Sequence, residues 1–328
     1  MKRPAFLLLV IALAVACKKS DPAPTIEVAK ANPAATPKQT TPAPAPTPTE
    51  TDPWQAKAEA PASESEKLKR VMLWSITKDG KTSYAFGTMH VGIDAERLPK
   101  TVWDKVTGAT SFAMETNAAD VQILNLGARM SGSLRQELGP VYWEKLGKLI
   151  EPQMLAAVDK KKPVIAAVFL SMRGLPMRGL GMDTALLAKA QMAGKPIVYL
   201  EPASKQAELL ERHLDLKALK LVIDTADQGL ELTKQMVTAY TAGDDKKLLE
   251  LNDNQKAESL AHGYTEAEYN KQGSDMLYDR NASWIPAIEA MHAKGGGFIA
   301  VGALHLVGKK SVLDLLGAKG YKIQRIEP

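Results

Sequence analysis

Four short apolar runs in this chain each end in an ionisable side chain, which narrows the folds open to it more than any other feature. They are Tyr84-Ala-Phe-Gly-Thr-Met-His90, Thr110-Ser-Phe-Ala-Met-Glu115, Pro196-Ile-Val-Tyr-Leu-Glu201 and Phe298-Ile-Ala-Val-Gly-Ala-Leu-His305. Runs of this length, rich in β-branched and aromatic residues, read as buried strands. Two of them share a finer grammar, Gly87-Thr-Met-His90 and Gly302-Ala-Leu-His305, each followed within three residues by another glycine. Strands that alternate with helical segments point to an α/β sheet with parallel pairing. In such sheets the ligand site lies outside the carboxyl ends of the strands, where the four ionisable residues fall.

The other elements fit around these runs. Val71–Thr77 and Thr82–Phe86 flank Lys78-Asp79-Gly80 and read as an N-terminal hairpin, because Asp-Gly between apolar runs supplies the left-handed turn conformation. Leu98–Val106 is expected as a short helix with Pro99 in its first turn. From Asn117 to about Leu170 the pattern is helical in pieces, with Leu124, Leu134, Leu138, Trp143, Leu146, Ile150, Leu155 and Val158 as core candidates. Asp183 is expected to cap a helix over Thr184–Ala193 that stops at Gly194. Ser204 to Met291 is helical with breaks near Asp215, Gly243 and Gly263, and Tyr321–Ile326 closes the sheet. The fold class is therefore α/β, a central mixed sheet with an N-terminal hairpin and a large helical insertion.

In the last long helix, Leu277, Trp284, Ile288 and Met291 form an apolar stripe, and helical spacing puts Arg280 and Asn281 on or beside it. A buried arginine needs a partner, so Arg280 either makes a structural ion pair or faces a site. Pro286 is expected to kink this helix or begin a new one. His213, His262 and His292 lie in polar helical surroundings and read as surface residues.

The N-terminal segment has a separate character. Lys2 and Arg3 precede an apolar stretch, and Ala14-Val-Ala-Cys17 resembles a lipobox. Residues 1–16 are thus expected to be a lipoprotein signal peptide, and Cys17, the only cysteine, the lipidated residue. Residues 17–67 are Pro-, Ala- and Thr-rich and lack the apolar side chains needed to offset the entropy of ordering, so they are expected to form a tether. Residues 68–328 are long enough for one domain with a real core. Lys18 in place of Asp is the pattern of outer-membrane lipoproteins, so the expected location is the cell envelope, lipid-anchored, at the outer membrane. The formal charge of +5, two of which belong to Lys2 and Arg3, is too modest to argue for nucleic acid.

Two neutral imidazoles and a carboxylate, His90, His305 and Glu115, make a ligand set for a divalent metal with a position open for water. A second carboxylate would serve as general base, a catalytic role open to Glu115 as well as to Glu201, and an arginine such as Arg280 would stabilise an oxyanion. The residue types leave structural roles open for all of them, since only the fold can bring them together.

Gly87-Thr-Met-His90, Ala113-Met-Glu115, Gly181-Met-Asp183, Gly194-Lys-Pro-Ile-Val-Tyr-Leu-Glu201 with Gln206, Asp279-Arg-Asn281 and Val301-Gly-Ala-Leu-His305 together resemble the TraB/GumN family, which includes the Tiki proteases. Asp279 departs from the glutamate common there. The resemblance implies a fold similar to the erythromycin esterases and haem-binding ChaN proteins. It also implies His90, His305, Glu115, Arg280 and Asn281 as site residues, and a peptidase using manganese, cobalt or zinc on a peptide or protein substrate. The alternative is a non-catalytic envelope lipoprotein that binds haem or a peptide.

Overall fold

A computed structural model describes residues 67–327 apart from 121, 122, 124 and 176–180. The signal peptide, Cys17, all of the expected tether except Lys67, and the core candidate Leu124 lie outside the described residues. Six strands form one sheet: β1 Leu73–Lys78, β2 Lys81–Thr88, β3 Phe112–Met114, β4 Ile197–Tyr199, β5 Phe298–Gly302 and β6 Lys322–Arg325, in the order β4-β3-β5-β2-β1-β6. β4, β3, β5 and β2 run parallel, whereas β1 pairs antiparallel with both β2 and β6. The expected α/β class, mixed sheet, hairpin and helical insertion are all present.

The hairpin forms for the reason its sequence gives: Asp79 (φ 50°) and Gly80 (φ 70°) both take the left-handed conformation that a two-residue turn needs. β5 lies at the centre of the parallel block, buried on both faces, and Phe112 stacks on Phe298 with ring centroids 5.9 Å apart. Continuous apolar runs rather than alternating ones are what such strands require.

Helices fill the connections. α1 Lys100–Gly108 joins β2 to β3, starting after Pro99, which holds the cap position. α2 Leu134–Gly147, α3 Pro152–Asp159, α4 Pro163–Met172 and α5 Met182–Met192 lie between β3 and β4. α6 Ala203–His213, α7 Leu216–Asp224, α8 Ala226–Thr241, α9 Asp245–Asp253, α10 Gln255–Ala261, α11 Glu266–Gly273 and α12 Asp279–Ala293 lie between β4 and β5, and α13 Val312–Ala318 precedes β6. The expected breaks near Asp215, Gly243 and Gly263 are present, with Asp215 and Thr265 capping the helices that follow them, and two further breaks fall at Thr225 and Asn254. A second apolar core, separate from that of the sheet, holds Leu134, Leu138, Leu146 and Val158, with Trp143, Ile150 and Leu155 packed partly buried against it.

Three local expectations need correction. Asp183 does not cap α5: Gly181 holds the cap position, and the Asp183 carboxylate is drawn away to Thr88 and His90. α12 is continuous across Pro286, and the irregularity comes earlier, as a π-turn over Ser274–Tyr278. His292 is not a surface residue: it is buried, with Nδ1 against Ser83 Oγ at 2.8 Å and Nε2 against the Lys78 carbonyl at 3.1 Å. His213 is largely covered and pairs with Asp275 at 2.9 Å. The polar flanks of both residues concealed that the helix face they occupy packs on another element.

Candidate functional site

The four strands whose ends carry ionisable residues are the four neighbours of the parallel block, so all four side chains emerge at one edge of the sheet. Pairing continues past the ends of β3 and β4: Leu200 N–H donates to the Met114 carbonyl and Glu201 N–H to the Glu115 carbonyl, both at 2.9 Å. This holds the two glutamates side by side. His305 ends a single 3-10 turn, Ala303–His305, that leaves β5. Gly87 makes this approach possible, because a Cβ there would lie 2.9 Å from Ala303 Cα.

Arg280, 1% exposed, binds both carboxylates. Its Nη2 donates to Glu115 Oε2 at 2.7 Å and to Glu201 Oε1 at 2.5 Å, and its Nε to Glu201 at 3.0 Å. Nη1 donates to the Met276 carbonyl, within the π-turn, at 3.1 Å. The guanidinium also lies 4.9 Å from the Trp284 ring centre, and Trp284 packs on His305 at 4.6 Å. Of the two roles the sequence left open for Arg280, the structure shows the buried ion pair. Asp279, the departure from the family pattern, points its charge outward, where its carboxylate accepts from Ser274.

The two histidines are oriented by different partners. His90 Nδ1 lies 2.7 Å from Asp183 Oδ2, and Thr88 donates to the other oxygen of the same carboxylate at 2.8 Å. His305 Nδ1 lies 2.7 Å from Asn281 Oδ1, and the Asn281 amide nitrogen donates to the Lys310 carbonyl at 2.9 Å. Because the amide nitrogen is used on Lys310, the Asn281 oxygen must accept from His305, which puts the ring proton on Nδ1 and a lone pair on Nε2. Arg280 Nη1 lies 3.2 Å from that Nε2.

Glu115 is held well below the usual carboxylate range. Burial would raise it, but the Arg280 charge, the two histidines and the Gly302 N–H at 2.8 Å outweigh that. Burial also pushes His305 down to about 3, with Arg280 and His90 adding to the effect against the pull of Glu115. Burial would lower His90 too, yet the Asp183 carboxylate, by charge and hydrogen bond, brings it up to about 9.

Gly302 marks where these groups meet. A Cβ at this position would lie 3.4 Å from Glu115 Oε1, 3.4 Å from His90 Nε2 and 3.6 Å from His305 Cδ2, so its absence leaves a hollow shared by all three. A pocket opens beyond, lined by those three residues and by apolar side chains of α8 and α9. Glu201, Arg280 and Asn281 do not line it; they stand behind the residues that do. Among the described residues, no three His, Cys, Asp or Glu side chains are drawn together tightly enough to hold an ion.

Of the residues named from sequence, His90, His305, Glu115, Glu201, Arg280 and Asn281 come together in one cluster. Sequence reasoning missed the roles of Asp183, Thr88, Gln206 and Gly302. Gln206 donates to Glu115 Oε2 at 3.2 Å. The available signals were the glycine of the second Gly-x-x-His and the Gly-Met-Asp183 motif, which read locally as a helix cap.

An α/β protein with a buried Glu-Arg-Glu cluster and two Gly-x-x-His loops at the end of its parallel strands defines the class. The chain belongs to the TraB/PrgY/gumN family, which it matches over residues 72–325. It is 26% identical over 247 residues to a protein of Shigella flexneri described as uncharacterized protein YbaP, covering 71% of this chain and 87% of that one. Uncharacterized protein YbaP of Escherichia coli K12 is also 26% identical, over 246 residues with the same coverage. No solved structure matches the chain.

Proposed function

We propose that the protein is a metal-dependent hydrolase of the peptidase type, with His90 Nε2, His305 Nε2 and Glu115 Oε1 as the ion's ligands. The observation that carries this reading is the hollow at Gly302, bordered by His90 Nε2, Glu115 Oε1 and the Cδ2 edge of the His305 ring while both Nδ1 atoms are tied elsewhere; an ion would have to draw the three side chains closer together than they now stand. An imidazole whose Nδ1 proton is bound to a carboxylate or amide oxygen presents Nε2 in the tautomer and orientation a metal requires. A bound divalent ion would polarise the scissile carbonyl and lower the pKa of a bound water.

The chain's own residues prepare the position. Asp183 and Asn281 fix the two rings, and Arg280 and Gln206 hold Glu115 by Oε2, directing Oε1 to the hollow. Glu201 is spent on Arg280, so in this reading it is a positioning residue and not the general base expected from sequence. Arg280 likewise acts through Glu115 and His305, because it does not line the pocket. An ion on His305 would take the lone pair now facing Arg280 Nη1. Envelope anchoring through Cys17 belongs to the same proposal and rests on the lipobox-like sequence alone.

Titration of the full chain with Mn, Co and Zn tests the reading. Binding is expected, with a large loss in His90→Ala and in His305→Ala, and metal-dependent cleavage of peptides from a screened library is expected to follow. Folded protein that binds none of the three ions refutes it, and a Soret band on haem titration without cleavage would favour the binding alternative. Cys17→Ser is expected to move the protein out of the membrane fraction; unchanged membrane association removes the anchor.

A further inference from the structure

The pocket in front of the Gly302 hollow has two kinds of wall. Met89 and Leu304, from the two Gly-x-x-His loops, face Val91, Met236 of α8 and Leu248 of α9 across an apolar cleft. Its polar side chains outside the His-Glu centre are few, and nearly all have partners. Thr88 donates to Asp183, Thr233 to the Gly229 carbonyl, and Asn252 lies 3.5 Å from Asp253.

Gln255, the first residue of α10, is the exception. The residue is 5% exposed and lines the pocket, and among the described residues its side-chain amide is hydrogen-bonded to no other side chain or backbone group, its polar atoms being open to the pocket. The amide is not among the side-chain atoms closed off from solvent without a partner, so it opens on the pocket and pairs with whatever fills it, water or a ligand. Asn252 and Gln255 also line a second cleft, with Tyr269, Asn270, Met276 and Lys310, so Gln255 stands where an apolar pocket meets a more polar channel.

We propose that Gln255 is the substrate-recognition residue of this site, pairing with an amide of a ligand whose apolar side chain fills the pocket. The proposal rests on the reading of His90, Glu115 and His305 as the reacting centre and names its substrate class. A glutamine amide offers one acceptor oxygen and a donor nitrogen, and a peptide amide offers the complementary N–H and C=O. An ester or a carboxylate has no donor and leaves the glutamine oxygen unpaired. A site built around a buried hydrogen-bonding group rejects analogues that cannot satisfy it. Gln255 therefore selects amides, the apolar walls select an aliphatic or thioether side chain beside the amide, and the polar channel accommodates continuing main chain.

The test uses the full chain without metal and a pair of probes that differ in one group, N-methylisocaproamide and methyl isocaproate. The side-chain amide signals absent from Gln255→Leu identify Gln255 in the proton-nitrogen spectrum. In the wild type the amide probe is expected to shift those signals and to bind at least about tenfold more tightly than the ester, and Gln255→Leu is expected to reduce that preference to about twofold or less. Should Gln255→Leu fail to fold, Gln255→Glu keeps the shape, removes the donor, and identifies the same signals. Unshifted Gln255 signals, or equal binding of amide and ester by the wild type, overturn the proposal. Cleavage is a separate measurement: an amide that binds at Gln255 but is cut with none of the three ions overturns the hydrolase reading and leaves amide recognition standing.

Discussion

His90 and His305 end two neighbouring parallel strands with the same Gly-x-x-His spacing, yet their imidazoles are set to opposite charge states. His90 is partly open to solvent and tied to the Asp183 carboxylate, which brings it up to about 9. His305 is buried, tied to the neutral Asn281 amide and faced by Arg280, and is pushed down to about 3. The glycines differ as well. Gly87 is where β2 packs against Ala303 of the other loop, whereas Gly302 leaves room for chemistry. The motif thus sets where each ring stands, and the partners brought from distant helices decide its proton.

The largest expected effect comes from removing the cation on the His305 side. Arg280→Met leaves Glu115 and Glu201 buried without a counter-charge and is expected to cost about 3–5 kcal/mol in denaturant unfolding, partly recovered by adding Glu201→Gln. A cost under about 1 kcal/mol would mean that the Glu-Arg-Glu cluster does not support this end of the sheet.

A smaller effect is expected on the His90 side. Asp183→Asn gives His90 a neutral partner of the kind His305 has, and its pKa, followed by NMR, is expected to fall from about 9 toward or below the ordinary 6.5. Because the folded value is raised, the His90–Asp183 pair stabilises the metal-free protein fully below pH 6.5, and that contribution is lost as pH rises through about 9. The variant is expected to lose about 1–3 kcal/mol at low and neutral pH and to show a flatter alkaline limb. An unchanged His90 titration would separate the ring from Asp183.

The smallest change in stability, and the sharpest test of the hollow, is Gly302→Ala. Its backbone (φ −52°, ψ 139°) suits any L-residue, so unfolding free energy is expected to stay within about 0.5 kcal/mol of wild type. The new methyl would sit between His90 Nε2 and Glu115 Oε1, and divalent-ion affinity is expected to fall at least about tenfold. Unchanged affinity would move the ion elsewhere.

Much of the fold is written in local pattern. Asp79-Gly80 dictates the hairpin, the apolar runs dictate strands, and the four strand-end residues are legible because a parallel strand buried on both faces has its first polar side chain where it leaves the sheet. Periodicity also placed Arg280 and Asn281 on the buried face of α12, since residues flanking Leu277 and Trp284 share its side. What periodicity cannot carry is a partner from another element. Asp183, 93 residues from His90, has the local look of a helix cap and becomes a ring-orienting carboxylate only when α5 docks at the end of β2. His292 looks exposed for the same reason, because its contacts, Ser83 and Lys78, lie more than 200 residues away. Gln255 carries no motif at all; only the packing of α8, α9 and the two loops makes its unpaired amide informative. The sequence by itself determined which strands exist and which ionisable groups leave them. The tertiary structure decided which of those groups carry charge and which face the pocket, because burial and opposing charge act through space, between residues that the chain keeps far apart.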